Sequence, residues 1–262
     1  MTKNITFLSI MYLGVFIIPL LAILYKLKIR LVKESVVSIV RMFIQLSLVG
    51  IYLQYIFLWD NPFINMAYLL IMIFTATFSI GRSAQIKLRR ILPILLVTVG
   101  VPMVVILIFF GSFLIGLDNP LEAKYLIPIS GMLLGNTLNG NIITLNTFFK
   151  TFRGNEEEYL YSLGLGATKY EALRPYIREG ITSSISPTIA YLATMGIVSL
   201  PGMMTGQILG GSLPLTAIKY QIAIMLAILS CKFFSSFSTL YITSHVFFDD
   251  YHILDKDIFI QS

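Results

Sequence analysis

The chain is 262 residues long, 56% apolar and only 12% charged. A soluble domain carries about 25% charged residues, so a water-soluble globule is excluded, and the lack of ten-residue alternating segments excludes a membrane barrel. The formal charge of +6 does not indicate nucleic acid as a partner, because the basic residues sit in short loops between apolar runs.

Apolar runs of roughly 20 residues suit helices that cross hydrocarbon about 30 Å thick. They predict an all-α polytopic membrane protein with about seven transmembrane helices, over 7–25, 36–58, 64–80, 91–115, 126–149, 181–200 and 217–245. The first run has only Lys3 before it, no small-residue cleavage site, and a basic loop after it, so it reads as a retained span rather than a secretion signal. No linker, low-complexity tract or repeat divides the chain, which reads as one transmembrane domain over 1–262 with an insert at 150–180.

Basic residues set the orientation. Lys26, Lys28, Arg30 and Lys33 fill the first loop, Arg82, Lys87, Arg89 and Arg90 the third, and Lys150, Arg153, Lys169, Arg174 and Arg178 the fifth, with Lys256 in the tail. The opposite side has only Lys3, Lys124 and Lys219. Basic loops remain cytoplasmic, so the expected topology places the N-terminus outside and the C-terminus in the cytoplasm. The single Cys231 cannot form an internal disulfide.

Along the second span, Arg41 reads as snorkelling to the interface, while Gln45, one turn deeper, is a candidate pathway residue. In the fifth span Asn136, Asn139 and Asn146 recur at offsets that share one helical face, with Asn141 and Thr144 pointing elsewhere. Amides in hydrocarbon must face protein or water, so this face either bonds neighbouring helices or lines a path. Gly131 and Gly135 form a small-residue pair suited to close packing.

The insert 150–180 is the one sizeable charged segment outside the spans. Asn155 and Glu158 have the spacing of an N-cap and its reciprocal partner, Glu156, Glu157 and Glu158 load the helix start with negative charge, and Gly164 and Gly166 supply a stop. Thr168 and Glu171 repeat the capping pattern, and Pro175 breaks or kinks the second helix. The expectation is two short helices on the cytoplasmic face, either a well-capped surface loop or a docking element that receives force from a motor subunit.

After the sixth span, Pro201-Gly202-Met203-Met204-Thr205-Gly206-Gln207 reads as a helix-breaking connector. Met203, Met204 and Gln207 are pathway candidates; the thioethers are either adaptable filler or soft metal ligands. Lys232 lies near the middle of the last span and needs a carbonyl, an amide or a water cavity. It could repel a cationic cargo or attract an anionic one.

The segment Glu158 to Thr168, of the form E-x-x-x-x-L-x-L-G-A-T, is similar to the loop by which bacterial ABC importer permeases contact their ATPase, departing from it by an extra Gly-Leu in SLGLGAT. ISPTIAYLATMGIVSLPGMMTGQILGGSLPLTAIKYQIAIM at 185–225, with ISGMLLGN at 129–136, resembles the FetB-type ABC transporter permease family, whose members include bacterial iron-export permeases and plant proteins of aluminium tolerance. The resemblance is strong over 125–245. It implies a permease in the plasma (inner) membrane, two copies working with two ATP-binding subunits, and iron as leading cargo. It assigns the ATPase contact to Glu157, Glu158, Leu163, Gly164, Gly166, Ala167 and Thr168.

No G-x-x-x-x-G-K-[ST] occurs, so ATP and Mg are expected in the partner subunit, and no cofactor is expected here. Every Asp and Glu falls outside the predicted spans, which disfavours a proton-driven carrier. No nucleophile–base set or H-E-x-x-H supports an intramembrane enzyme. A polar organic cargo such as a nucleotide sugar, and an ATP-independent carrier or channel, stay open.

Overall fold

The structure is a computed structural model that describes residues 7–29, 31–249 and 251–259. Lys3 and Arg30 lie outside the described residues. Helices dominate in chain order: α1 (Phe7–Leu13), a 3-10 turn (Gly14–Phe16), α2 (Ile17–Lys26), α3 (Val32–Trp59), α4 (Pro62–Ser83), α5 (Leu88–Phe109) running into a π-helical turn (Phe110–Ile115), α6 (Ala123–Gly154), α7 (Glu156–Gly164), α8 (Lys169–Thr194), α9 (Gly202–Leu209) and α10 (Pro214–Val246). A short 3-10 turn, Lys256–Ile258, lies in the tail. Among the described residues there are isolated bridges but no strand.

Among the described residues four helices are long and apolar enough to cross a membrane: α3, α4, α5 with its π-helical continuation, and α10. Helices also occupy the other predicted spans, but α6 and α8 carry more polar residues and the first segment is interrupted by a 3-10 turn. The polarity has a structural reason, because α6 is the hub. It packs against α4, α8 and α10, and α5 closes the bundle against α4 and α10. A hub helix can carry amides and hydroxyls, since neighbouring helices satisfy them. Asn141 of α6 donates to Ser235 Oγ at 2.8 Å, Thr137 of α6 donates to Cys231 Sγ at 3.4 Å, and the Thr98 and Thr239 hydroxyls meet at 2.7 Å between α5 and α10.

Helix α8 approaches α6 closely at Gly180, where a methyl group would stand 3.0 Å from the Thr144 carbonyl oxygen. The N-terminal helices differ: no residue of α2 or α3 is buried. The two ends of the bundle are distinct. At one, Asp60 accepts from Ala123 N and Asn65 donates to the Leu121 carbonyl, joining the 59–62 and 116–124 connectors. At the other, the basic 82–90 loop, the insert and the tail converge.

Two local expectations fail. Pro175 does not end a helix: α8 runs unbroken from Lys169 to Thr194, because buried Ala172, Leu173, Tyr176 and Ile177 pack its faces on both sides of the proline. The insert is thus one short helix plus the start of a long one. The 201–207 segment is itself mostly helical: Gly202–Leu209 forms α9 against α10, capped by Pro201, and the chain turns on either side of it, at Gly196 with φ +87° and at Gly211 with φ +99°.

Candidate functional site

Helix α7 is held by an aromatic interlock. Tyr159 is 1% exposed, and its ring centroid lies 5.0 Å from Phe152 of α6 and 5.9 Å from Phe248 of the tail. Phe152 in turn meets Phe248 at 5.2 Å and Tyr176 of α8 at 5.5 Å, in edge-to-face arrangements favoured by aromatic rings. Both phenols are satisfied: Tyr159 donates to the His252 carbonyl at 2.8 Å and Tyr176 to the Asn155 carbonyl at 3.2 Å. Burial, with the Asp249 carboxylate adding, pushes the Tyr159 phenol up to about 12. The tail is fastened too. Arg90 pairs with Asp255, Lys87 N donates to the Ile258 carbonyl at 2.8 Å, and the Arg153 guanidinium lies 3.5 Å over the Phe259 ring.

The capping box at Thr168 is present. Its hydroxyl accepts from Glu171 N at 3.3 Å, and Glu171 accepts from Thr168 N at 2.8 Å and from its hydroxyl at 2.6 Å. These bonds hold the Glu171 carboxyl below its ordinary range. Asn155 is not a side-chain cap, because its side chain is turned back toward α6, its Nδ2 donating to the Thr151 carbonyl instead of its Oδ1 accepting from the start of α7. Gly166, with φ +92°, makes the left-handed turn between α7 and α8, while Gly164 is the last residue of α7.

Glu157, Glu158, Gly164, Gly166 and Thr168 are exposed, Ala167 is half-buried, and Leu163 packs against the core. Sequence reasoning missed the apolar surface beside them. Leu160, Tyr161, Leu165 and Tyr170 are exposed on the same insert, Tyr161 at 69% and Leu165 at 72%. Together they put four exposed apolar side chains within 160–170.

Toward the opposite half lies a cavity of about 460 Å³ between α6, α8, α9 and α10. Met132, Asn136, Thr188, Met203 and Gln221 line it, with Tyr191 and the apolar Ile224, Met225 and Ile228. Lys232 stands behind Thr188, donating from Nζ to the Thr188 hydroxyl at 2.9 Å. It is 5% exposed and is the one charged side chain among the buried described residues. Gly140 makes room for its stem: a methyl group at that position would stand 2.7 Å from Lys232 Cγ and Cε. The Gln221 Oε1 atom is buried without a partner.

Of the pathway candidates, Asn136, Met203 and, through Thr188, Lys232 come together at this cavity. Met204 and Gln207 sit on α9 but do not line it, although Gln207 Oε1 is buried and unpartnered. Asn139 and Asn146 do share a face with Asn136, and that face is open on the single chain. Gln45 is exposed on α3 and stands apart. The interhelical amide bond belongs instead to Asn141. Gly135 has nothing within 4 Å of where a side chain would begin, so it clamps no neighbour within the chain. Among the described residues no cluster of three or more His, Cys, Asp or Glu could hold a metal ion; the cavity offers amides, hydroxyls and thioethers.

The model of the family described as "Uncharacterised protein family (UPF0014)" matches residues 7–248, which includes the insert, the cavity and every helix. The chain belongs to this family. A relative in Escherichia coli (strain K12), "Probable iron export permease protein FetB", is 32% identical over 254 residues, spanning 97% of this chain and 96% of that protein. "Protein ALUMINUM SENSITIVE 3" of Arabidopsis thaliana is 30% identical over 247 residues, 93% of this chain and 88% of the relative. "UPF0014 membrane protein STAR2" of Oryza sativa subsp. japonica is 28% identical over 228 residues, 86% and 78% of the two chains. No solved structure matches the chain. UPF0014 membership and the apolar helices make this a multi-pass membrane protein.

Proposed function

We propose that the chain is the membrane-spanning permease subunit of an ABC transporter that exports metal, iron first, with ATP hydrolysed on a separate subunit. The observation that carries the reading is α7: a short helix locked to α6 and the tail through Tyr159, with Tyr176 of α8 bonded to the Asn155 carbonyl at its start, yet presenting Leu160, Tyr161 and Leu165 outward. Such an element transfers a push to the bundle instead of absorbing it. The permease name of the Escherichia coli relative supports this, and iron as cargo rests on that name.

In this reading the whole chain acts as one permease domain in the plasma (inner) membrane, with the N-terminus outside and the insert and C-terminus in the cytoplasm. The convergence of the 82–90 loop, the insert and the tail at one end supports that orientation. Two copies face each other across the open stripe of Asn136, Asn139 and Asn146. An amide exposed to lipid is costly, so a partner copy or a water path must cover it.

The test is reconstitution in liposomes with and without a candidate ATP-binding subunit from the same organism. ATP-dependent movement of iron, absent without that subunit, supports the proposal. Solute movement by the chain alone, or equal cellular iron with and without the chain under iron load, contradicts it.

A further inference from the structure

Lys232 presents an unsolved electrostatic problem. Its ammonium is buried in the bundle, and among the described residues no carboxylate pairs with it and its one hydrogen-bond partner is the neutral Thr188 hydroxyl. An unpaired ion out of water is expensive, and a lysine at membrane depth is retained where it meets a ligand or a water cavity. The cavity is immediately beyond Thr188. Because the Thr188 oxygen accepts from the ammonium, its own proton is free to be donated, and donation by a cation strengthens that second bond.

We propose that this cavity is an oxyanion site: it takes a carboxylate or phosphate, on a small hydroxyl-bearing molecule, with Lys232 as counter-charge and Thr188 as the direct donor. The rest of the lining fits the same molecule. Gln221 Oε1, buried and unpartnered, accepts from a hydroxyl of the ligand. Asn136 donates to the Met132 carbonyl at 2.9 Å, which fixes its amide and leaves its side-chain oxygen as a second acceptor. Met132, Met203, Met225 and Ile224 cover a carbon skeleton. A volume of about 460 Å³ is within the ordinary range for a small-molecule site. A bare cation is the wrong occupant, because it would meet Lys232 with no anionic ligand to offset the repulsion. The inference rests on the proposed transport function, and it assigns metal cargo to anionic chelates.

The test uses the full chain in lipid nanodiscs without any ATP-binding subunit, so its outcome is independent of whether that subunit exists. Thermal unfolding is followed with citrate, with glucose 1-phosphate, with glucose and with ferrous ion alone. A ligand that binds only the folded state raises the melting temperature. Citrate or glucose 1-phosphate is expected to do so, and which of them does separates carboxylate from phosphate; glucose and ferrous ion are expected to leave it unchanged. Lys232→Met should weaken the oxyanion at least tenfold while its ligand-free form melts no lower than the wild type, since an uncompensated charge has been removed. If that variant does not fold, Thr188→Val, which keeps the ammonium, carries the same tenfold loss. Equal binding to wild type and Thr188→Val, no shift with either oxyanion, or a shift with ferrous ion alone overturns the proposal.

Discussion

The two ends of the helical bundle are built on opposite principles. At the α7 end the aromatic packing is complete: Phe152, Tyr159, Tyr176 and Phe248 interlock and both buried phenols have acceptors. At the cavity a buried acceptor is left wanting: Gln221 Oε1 has no partner, and among the described residues no buried side-chain atom without a partner belongs to the insert or the tail. A satisfied, dry cluster resists deformation, while an unsatisfied polar cavity invites a ligand. The difference fits a lever at one end and a solute site at the other.

Breaking the lever has the largest expected effect. Tyr159→Ala removes a buried ring and should cost about 3–5 kcal/mol, measured by denaturation in detergent, with transport lost. Filling the space that Lys232 occupies comes next. Gly140→Ala should cost about 1–3 kcal/mol by overpacking, and a double-mutant cycle with Lys232→Ala should recover part of it, because the clash is with that side chain. Tyr159→Phe keeps the ring and loses only the bond to the His252 carbonyl, about 1 kcal/mol. If Phe and Ala cost the same, the packing account of this end is wrong.

Much of this could be read from the amino acids, and the failures have a common cause. The helical class followed from apolar run length, and the Thr168–Glu171 box from a local spacing that needs no tertiary context. Asn155 had the same spacing with Glu158, but its amide was drawn to the Thr151 carbonyl. Pro175 reads as a breaker in isolation; packing of Leu173, Tyr176 and Ile177 overrides it. The fifth span's exposed amides were visible as a stripe, yet the bond across helices is made by Asn141, because only the position facing Ser235 can make it. The tail's role was invisible, since Phe248 and Phe259 act through contacts with residues about 90 or more positions earlier in the chain.

Smaller effects sharpen the comparison. Asp255→Asn breaks an exposed pair with Arg90 and should lower the melting temperature only slightly, and less still at high salt. Glu171 gives the weakest signal. Its carboxyl is held below the ordinary value of 4.5, so its contribution is fully present above that pH and fades as pH falls through the lower folded value. Melting temperature measured from pH 7 to pH 3 should therefore drop more in the wild type than in Glu171→Gln, the difference opening only below about pH 4.5.

The most direct measurement is a cross-link. In a Cys231→Ser background, Leu165→Cys places one reactive thiol on the exposed apolar face of α7. Leu165→Cys should cross-link to the ATP-binding subunit in membranes, at a rate that changes with ATP, while Leu58→Cys on the exposed surface of α3 should not. Equal or absent cross-linking at the two positions, with transport intact, would contradict the account.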